Sequence, residues 1–471
     1  MQLLQFVVHL RFNKHIMKNT LFQCAVMLFL MINLSLSAQI SGTINGLAGE
    51  KVILASYRGD QLRIVDTIVA DNNGNIDFKP KKQIHNGLYR IIYKQGNGFD
   101  VLADQEPVKF TADTGNTTVR YTDTINSDYQ RLMKTEALYQ RKVDLLTQLI
   151  DGYPSGEPFY KKATAQYVKE QIDYSAFLNG MIRRHHGTLL SLIAMNLKRP
   201  FLAPELNPDD RKKALRENFW QAGDATDTSL ILTNVYTRKT IEFLTFYSNP
   251  EFTKEELQAS FITGINALLP HINQQPKVFA FIMEYLINGF EQFGFEEVLR
   301  YLATMYESEG CTDEASRTRL AGKVEIIRRM APGNVAPPLM ANRPDGSAFT
   351  LNDLRKPYNI IIFWASWCPH CNEILPQIDQ LYREQAGEKW DVLAYSLDTN
   401  KSEWEKAIQK SKYLWTNVSE LKGWNSPSSE EWGIFATPTL FILGPGLKII
   451  AKPYNFTELT DSLRELGLIS R

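Results

Sequence analysis

Three kinds of hydrophobic spacing follow one another along the chain. From Ile40 to about Tyr121, apolar and polar residues alternate in short runs, KVILASY, LRIVDTIVA, NIDFKP, GLYRIIYK and FDVLA, separated by turn residues. A period of two puts successive side chains on opposite faces, so each run predicts a half-buried strand. Asp71-Asn72-Asn73-Gly74 predicts a hairpin turn between two of them. The expected module is a small all-β sandwich or meander over residues 39–124. From about Ser127 to Met330 the spacing changes to steps of three and four, as in DLLTQLI, GTLLSLIAMNL and FAFIMEYLINGF. That is the period of a helix, and it predicts a middle all-α region over residues 125–331. Pro154, Pro208-Asp209-Asp210, Pro270 and a capping box, Thr253 to Glu256, punctuate it into roughly seven or eight helices with no repeat period.

Ala331-Pro332-Gly333-Asn334-Val335-Ala336-Pro337-Pro338 reads as a linker into a last domain, residues 332–471. The composition shifts there, since all the tryptophans but Trp220 lie beyond it. The apolar strand YNIIIFWA leads directly into Trp367-Cys368-Pro369-His370-Cys371 and a helix expected over 371–386. Strand DVLAYSL, a helix over 402–411 opened by a Ser402 to Glu405 capping box, strands TLFIL and KIIAK, and a helix from Thr457 follow. Strands alternating with helices predict an α/β domain.

Length agrees with several domains, since 471 residues exceed one ordinary core. Lysine plus arginine equals aspartate plus glutamate at 52 each, so net charge gives no reason to expect nucleic acid as a partner. Residues 20–38 are an apolar run after Lys18 that ends in small residues at Ser35, Ser37 and Ala38. They read as a signal peptide cleaved after Ala38, with Met17 as the true start and residues 1–38 outside the mature fold. The expected location is the periplasm or cell envelope. Membrane contact is expected only if this segment stays uncleaved as an anchor. Cys24 follows Gln23, where a lipobox requires a small residue.

Cys24 would leave with the signal, and Cys311, Cys368 and Cys371 are too few for a disulfide framework. Cys368 and Cys371, two residues apart, read as a redox pair, and Cys311 as an inert leftover thiol. No second CxxC exists to complete a zinc site. Arg183-Arg184-His185-His186 is expected to be a solvated helix face, because adjacent histidines point in different directions on a helix. No metal is expected there.

The placement of the cysteines predicts chemistry. A sulfur at the start of a helix meets unpaired amides and the positive end of the dipole, which stabilises a Cys368 thiolate. Pro369 fits the first helical position, where a missing N–H costs nothing. His370 adds a donor, and a charge when protonated, beside the sulfur. Cys371, one turn in, would be the shielded resolving thiol. Thiol–disulfide exchange through this pair needs no cofactor, since the pair itself carries two electrons.

IIIFWASWCPHC with the later Ala436-Thr437-Pro438-Thr439 resembles the thioredoxin superfamily. The lead-in Ala336-Pro337, Asp345-Gly346 and Leu351-x-Asp353-Leu354 resembles its TlpA/ResA branch of exported thiol–disulfide oxidoreductases. The resemblance covers about residues 332–471. It implies a thioredoxin-like fold, a cis bond before Pro438, and Thr437 presenting backbone groups to a substrate strand, with Trp367 among the site residues. It also implies reduction of exported protein disulfides, with electrons from an unidentified donor, whereas a histidine in CPHC favours a more oxidising couple. Two departures bear on the proton acceptor for Cys371. Ile362 stands where thioredoxins carry a buried acid, and Ile374 where the branch often has a glutamate. Glu373, about 100° round the helix, is the candidate that remains. Trp424, Trp432 and Phe435 either line a substrate groove or belong to the core. Two other functions are open. In an AhpC/TSA-type thiol peroxidase, a proline and a threonine would replace Ile361 and Ala365. In an envelope binding protein, the sandwich and helices would do the main work. The sandwich itself resembles uncharacterised β modules found ahead of thioredoxin domains.

Overall fold

The computed structural model describes residues 39–79, 84–104, 106–114, 116–221, 223, 225–308 and 314–470. The expected signal peptide over residues 1–38, with Met17 and Cys24, and Cys311 lie outside the described residues. The chain divides between Lys239 and Thr240 into two compact units.

The first unit begins with strands β1 (Ile40–Asn45), β2 (Lys51–Arg58), β3 (Gln61–Val69), β4 (Asn75–Phe78), β5 (Gly87–Tyr93), β6 (Asn97–Ala103), β7 (Val108–Asp113) and β8 (Asn116–Tyr121). They form two four-stranded sheets, ordered β4-β1-β7-β8 and β3-β2-β5-β6. Ile40, Ile44, Phe78 and Phe110 from one sheet share a core with Val52, Leu54, Ile91 and Val101 from the other, which makes a sandwich. The Asp71 to Gly74 turn forms, with the Asp71 carboxylate accepting the Asn73 and Asn75 amides at 2.8 Å. It is not a hairpin between paired strands. β3 pairs with β2 and β4 with β1, so the turn carries the chain from one sheet to the other. Alternation reports which face is buried and leaves the pairing partner open.

Helices α1 (Thr124–Gly152), α2 (Pro158–Arg184), α3 (Leu189–Asn196) and α4 (Pro208–Asn218) follow. α1 is tied to the sandwich by Asn126, whose buried amide accepts from Leu102 N–H at 2.7 Å and donates to Leu102 carbonyl at 3.0 Å. Leu102 lies on β6, the edge strand among the described residues, so this side chain satisfies backbone groups that no further described strand meets. His185 departs from the solvated face expected of it. It caps α2, is buried, and places Nε2 2.8 Å from Asp128 Oδ2 on α1. The chain leaves helical geometry at His185, which turns the ring inward while His186 stays exposed.

α5 (Val235–Thr245) spans the division. α6 (Lys254–Ile272) opens on the Thr253–Glu256 capping box, and Pro270 falls inside its last turn rather than ending it. There a proline removes only one backbone bond. α7 (Pro276–Gln292), α8 (Glu296–Ser308) and α9 (Glu314–Arg329) complete the helical stretch. The α/β domain contains β9 (Met340–Asn342), β10 (Ala348–Thr350), β11 (Tyr358–Trp364), α10 (Pro369–Gln385), β12 (Trp390–Ser396), α11 (Lys401–Ser411) and β13 (Thr416–Ser419), then α12 (Pro427–Glu431), β14 (Thr439–Gly444), β15 (Lys448–Ala451) and α13 (Phe456–Glu465). Its seven-stranded sheet runs β10-β9-β13-β12-β11-β14-β15. β11, β12 and β13 are parallel, and β14 is antiparallel to β11. α11 starts one residue earlier than expected, because Asn400, not Ser402, accepts its first amides. Residues 333–336 form a bound strap rather than a free linker. Gly333 N–H donates to Ile449 carbonyl, and Ala336 N–H to Leu447 carbonyl, both at 2.8 Å. The chain is multidomain, with a β-sandwich, a helical middle and an α/β C-terminal domain.

Candidate redox site

β11 is an interior strand of its sheet, between β12 and β14, and is buried from Asn359 to Trp364. It aims the chain at the start of α10, where Cys368 is the N-cap and Pro369 the first helical residue. Cys368 Sγ accepts the Cys371 amide at 3.2 Å, so the sulfur occupies the position of a capping oxygen. Cys368 and Cys371 are joined in a disulfide with their Cα atoms 5.3 Å apart. Cys368 is 3% exposed and Cys371 fully buried, so an incoming sulfur meets Cys368 first. Across the site, the chain entering β14 passes through a cis Thr437–Pro438 bond. The Thr437 carbonyl oxygen lies 3.4 Å from Cys368 Sγ. Pairing of Phe363 with Thr439 sets that loop beside the cysteines.

Sequence reasoning missed Asp398. This residue is buried, just past β12, and its Oδ2 accepts the Ser366 backbone N–H at 3.0 Å. Ser366 and Ser396 hydroxyls donate to its two oxygens at 2.6 and 2.7 Å. Ser366 lies two residues before Cys368, so a buried carboxylate pins the loop that leads into Cys368. The available signal was positional. Trp364 pairs with Ser396 across β11 and β12, which puts residue 398 level with residue 366.

Residues 332–452 match the AhpC/TSA family, and residues 38–130 match a domain of unknown function (DUF4369). A thioredoxin-like protein from Haemophilus influenzae is 32% identical over 104 residues, covering 21% of this chain and 58% of that protein. Sporulation thiol-disulfide oxidoreductase A from Bacillus subtilis is 30% identical over 87 residues, covering 18% of this chain and 51% of that protein. This chain therefore spans about half the length of these relatives or a little more. A solved thiol-disulfide oxidoreductase from Bacteroides fragilis is 29% identical, with 28% of this chain and 99% of that one covered at a TM-score of 0.26. The C-terminal domain is thioredoxin-like.

Other positions in the thioredoxin-like domain divide between site and core. Trp367 is 55% exposed, and its ring centroid lies 6.2 Å from that of Trp424, 45% exposed. Phe435 is also exposed, whereas Trp432 is buried against Phe363 and Phe441. Of the three aromatics considered for a groove, Trp432 belongs to the core. His370 and Glu373 both point to solvent, with Nδ1 and Oε2 3.6 Å apart. The structure sets Glu373 against His370, not against the buried Cys371. Ile362 is fully buried between Ala394 and Leu440, and Ile374 is buried on α10. Neither supplies a proton acceptor.

Proposed function

We propose that the thioredoxin-like domain is a thiol–disulfide oxidoreductase that reduces disulfides of exported proteins through Cys368-Pro369-His370-Cys371, in the periplasm or cell envelope. The observation that carries it is the capped sulfur, since Cys368 Sγ takes an amide of the α10 N-terminus beside the Thr437 carbonyl. In the reduced state that amide and the helix dipole stabilise a Cys368 thiolate. The thiolate attacks one sulfur of a substrate disulfide, and the other sulfur leaves as a thiolate. The Cys371 thiolate, its proton passed to water, then attacks Cys368 Sγ. The substrate departs as a dithiol, and the enzyme pair, having given up two electrons to it, is left as the Cys368–Cys371 disulfide. An exported reductant, not yet identified, returns two electrons. Thr437 aligns the substrate strand through its backbone, and His370 tunes the thiolate.

Insulin-disulfide reduction tests this reading. The Cys368→Ser variant should lose turnover, and Cys371→Ser should accumulate a mixed disulfide with substrate. Full turnover by Cys368→Ser would refute the proposal. Direction is tested by the reduction potential of the full chain. A value near thioredoxin's, about −270 mV, fits a reductase, and one near −120 mV an oxidant. The AhpC/TSA match gives a second reading, a thiol peroxidase. Against it, Ile361 and Ala365 are buried apolar residues where such enzymes place a proline and a threonine. Peroxide consumption dependent on Cys368 would favour it.

A further inference from the structure

The loop that presents Thr437 is held from one side by α9, a helix upstream of the residues that match the AhpC/TSA family. Lys323, Ile326 and Met330 recur at the three- and four-residue steps of one helix face. Each is engaged with the thioredoxin-like domain. Lys323 Nζ sits 5.2 Å from the ring centroid of the exposed Phe435, two residues before Thr437. It is fixed there by Asn288 Oδ1 at 2.7 Å and Glu291 Oε2 at 2.8 Å, both on α7. Ile326 fills the space beside Gly433 (φ 63°), where any Cβ would collide with its Cγ2. Arg329 Nη2 donates to the Glu431 carbonyl at 2.7 Å. Met330 is buried in the domain's own core. The same helical block is fastened elsewhere by Lys452 to Glu296 at 2.8 Å and Lys254 to Glu458 at 2.7 Å.

We infer that α9 is part of the protein-substrate site: Lys323, Ile326 and Arg329 are positioning residues that fix the shape of residues 431–437 and hold Phe435 out for an apolar side chain of an extended substrate. The inference rests on the proposed disulfide exchange and adds a specificity element from outside the thioredoxin-like fold. A cation held over an aromatic face is attracted by the ring's charge distribution, so Lys323 restrains the orientation of Phe435. An ordered loop spares a protein substrate the entropy of ordering it on binding. The contribution should therefore appear in binding, with the chemistry at Cys368 left to α10.

The test is steady-state insulin reduction by full-length Lys323→Ala, Lys323→Arg and Arg329→Ala proteins, alongside reduction potential and thermal unfolding. The Lys323→Ala and Arg329→Ala variants should raise KM for insulin about five- to tenfold while kcat changes less than twofold and the potential stays in place. Lys323→Arg, which keeps a cation over the ring, should recover most of the wild-type KM. An unchanged KM in both alanine variants overturns the inference. So does a loss of kcat that follows a lowered unfolding temperature, which would mark the contacts as structural only. A wild-type protein that fails to reduce insulin would instead overturn the disulfide-exchange reading, independently of α9.

Discussion

Ser366 spends both its backbone N–H and its hydroxyl on the Asp398 carboxylate, and the residue after next is Cys368, the proposed nucleophile. The Asp398→Ala substitution would leave those donors and the Ser396 hydroxyl unmet in a buried place, costing about 3–5 kcal/mol. Asp398→Asn keeps an acceptor but turns donors toward donors, and about 1–2 kcal/mol is expected. If the carboxylate positions the Cys368 loop, insulin turnover by the Asn variant should fall about tenfold, an activation difference of about 1.4 kcal/mol. Denaturant unfolding and the reductase assay read the two effects separately. Wild-type values in both would remove the positioning role. His370 acts differently, because its exposed ring adds a donor near the sulfur without ordering the backbone. His370→Ala should make the couple more reducing by about 30 mV, equivalent to about 1.4 kcal/mol. An unchanged equilibrium constant with glutathione would show that the capping amide alone sets the potential. The cysteine pair and Pro369 were legible in the sequence because local spacing places them, and Pro438 was legible only through the resemblance to thioredoxins. Asp398 was not, since its partner is brought by strand pairing across 32 residues.

At the scale of elements, Asp128 ties the N-terminal turns of α1 to the C-terminus of α2. Its carboxylate meets His185 at 2.8 Å and Arg184 at 3.0 Å. Burial alone would raise its pKa, but the bonds from His185 and Arg184, with the charge of Arg131, hold it below the ordinary aspartate value. A carboxyl with a depressed folded pKa stabilises the fold above its unfolded pKa, about 3.9, and loses that stabilisation as pH falls through the folded value. Replacement by Asn should lower stability at pH 7 by on the order of 2 kcal/mol and flatten the decline below about pH 4. Parallel pH–stability curves for wild type and Asp128→Asn would refute the linkage. Helical periodicity exposed the two helices, yet it placed His185 on a solvated face because it continued the helix past the residue that ends it. The Asp71 turn shows the same limit in the sandwich. Turn chemistry is written in four residues, whereas the sheet each strand joins depends on partners up to 68 residues away, as Asn45 beside Asp113 shows.

Where one domain stops is a question for the whole chain. Composition and proline content put a boundary at residues 331–338, and the AhpC/TSA match begins at residue 332. Packing places it elsewhere. Met330 is 1% exposed inside the core of the thioredoxin-like domain, Ile326 packs against that core, and the strap at Gly333 and Ala336 is bonded alongside β15. Prolines remove donors, but the strap uses the N–H groups of its non-proline residues, so a proline-rich stretch can still be bound. A fragment that starts at residue 332 forfeits Met330 and Ile326, about 3 kcal/mol of apolar burial together. For a domain of this size such a loss lowers the unfolding temperature by on the order of 10 °C. A fragment that starts at residue 234, ahead of α5, keeps α9 in place and should unfold close to the temperature at which the C-terminal part of the full chain does. Scanning calorimetry of both fragments in their oxidised forms decides the matter. Equal unfolding temperatures would return the boundary to residue 332 and leave the helices as a separate body. A deficit confined to the shorter fragment would make α9 an integral layer of the redox domain, as its contacts at Gly433 and Glu431 require.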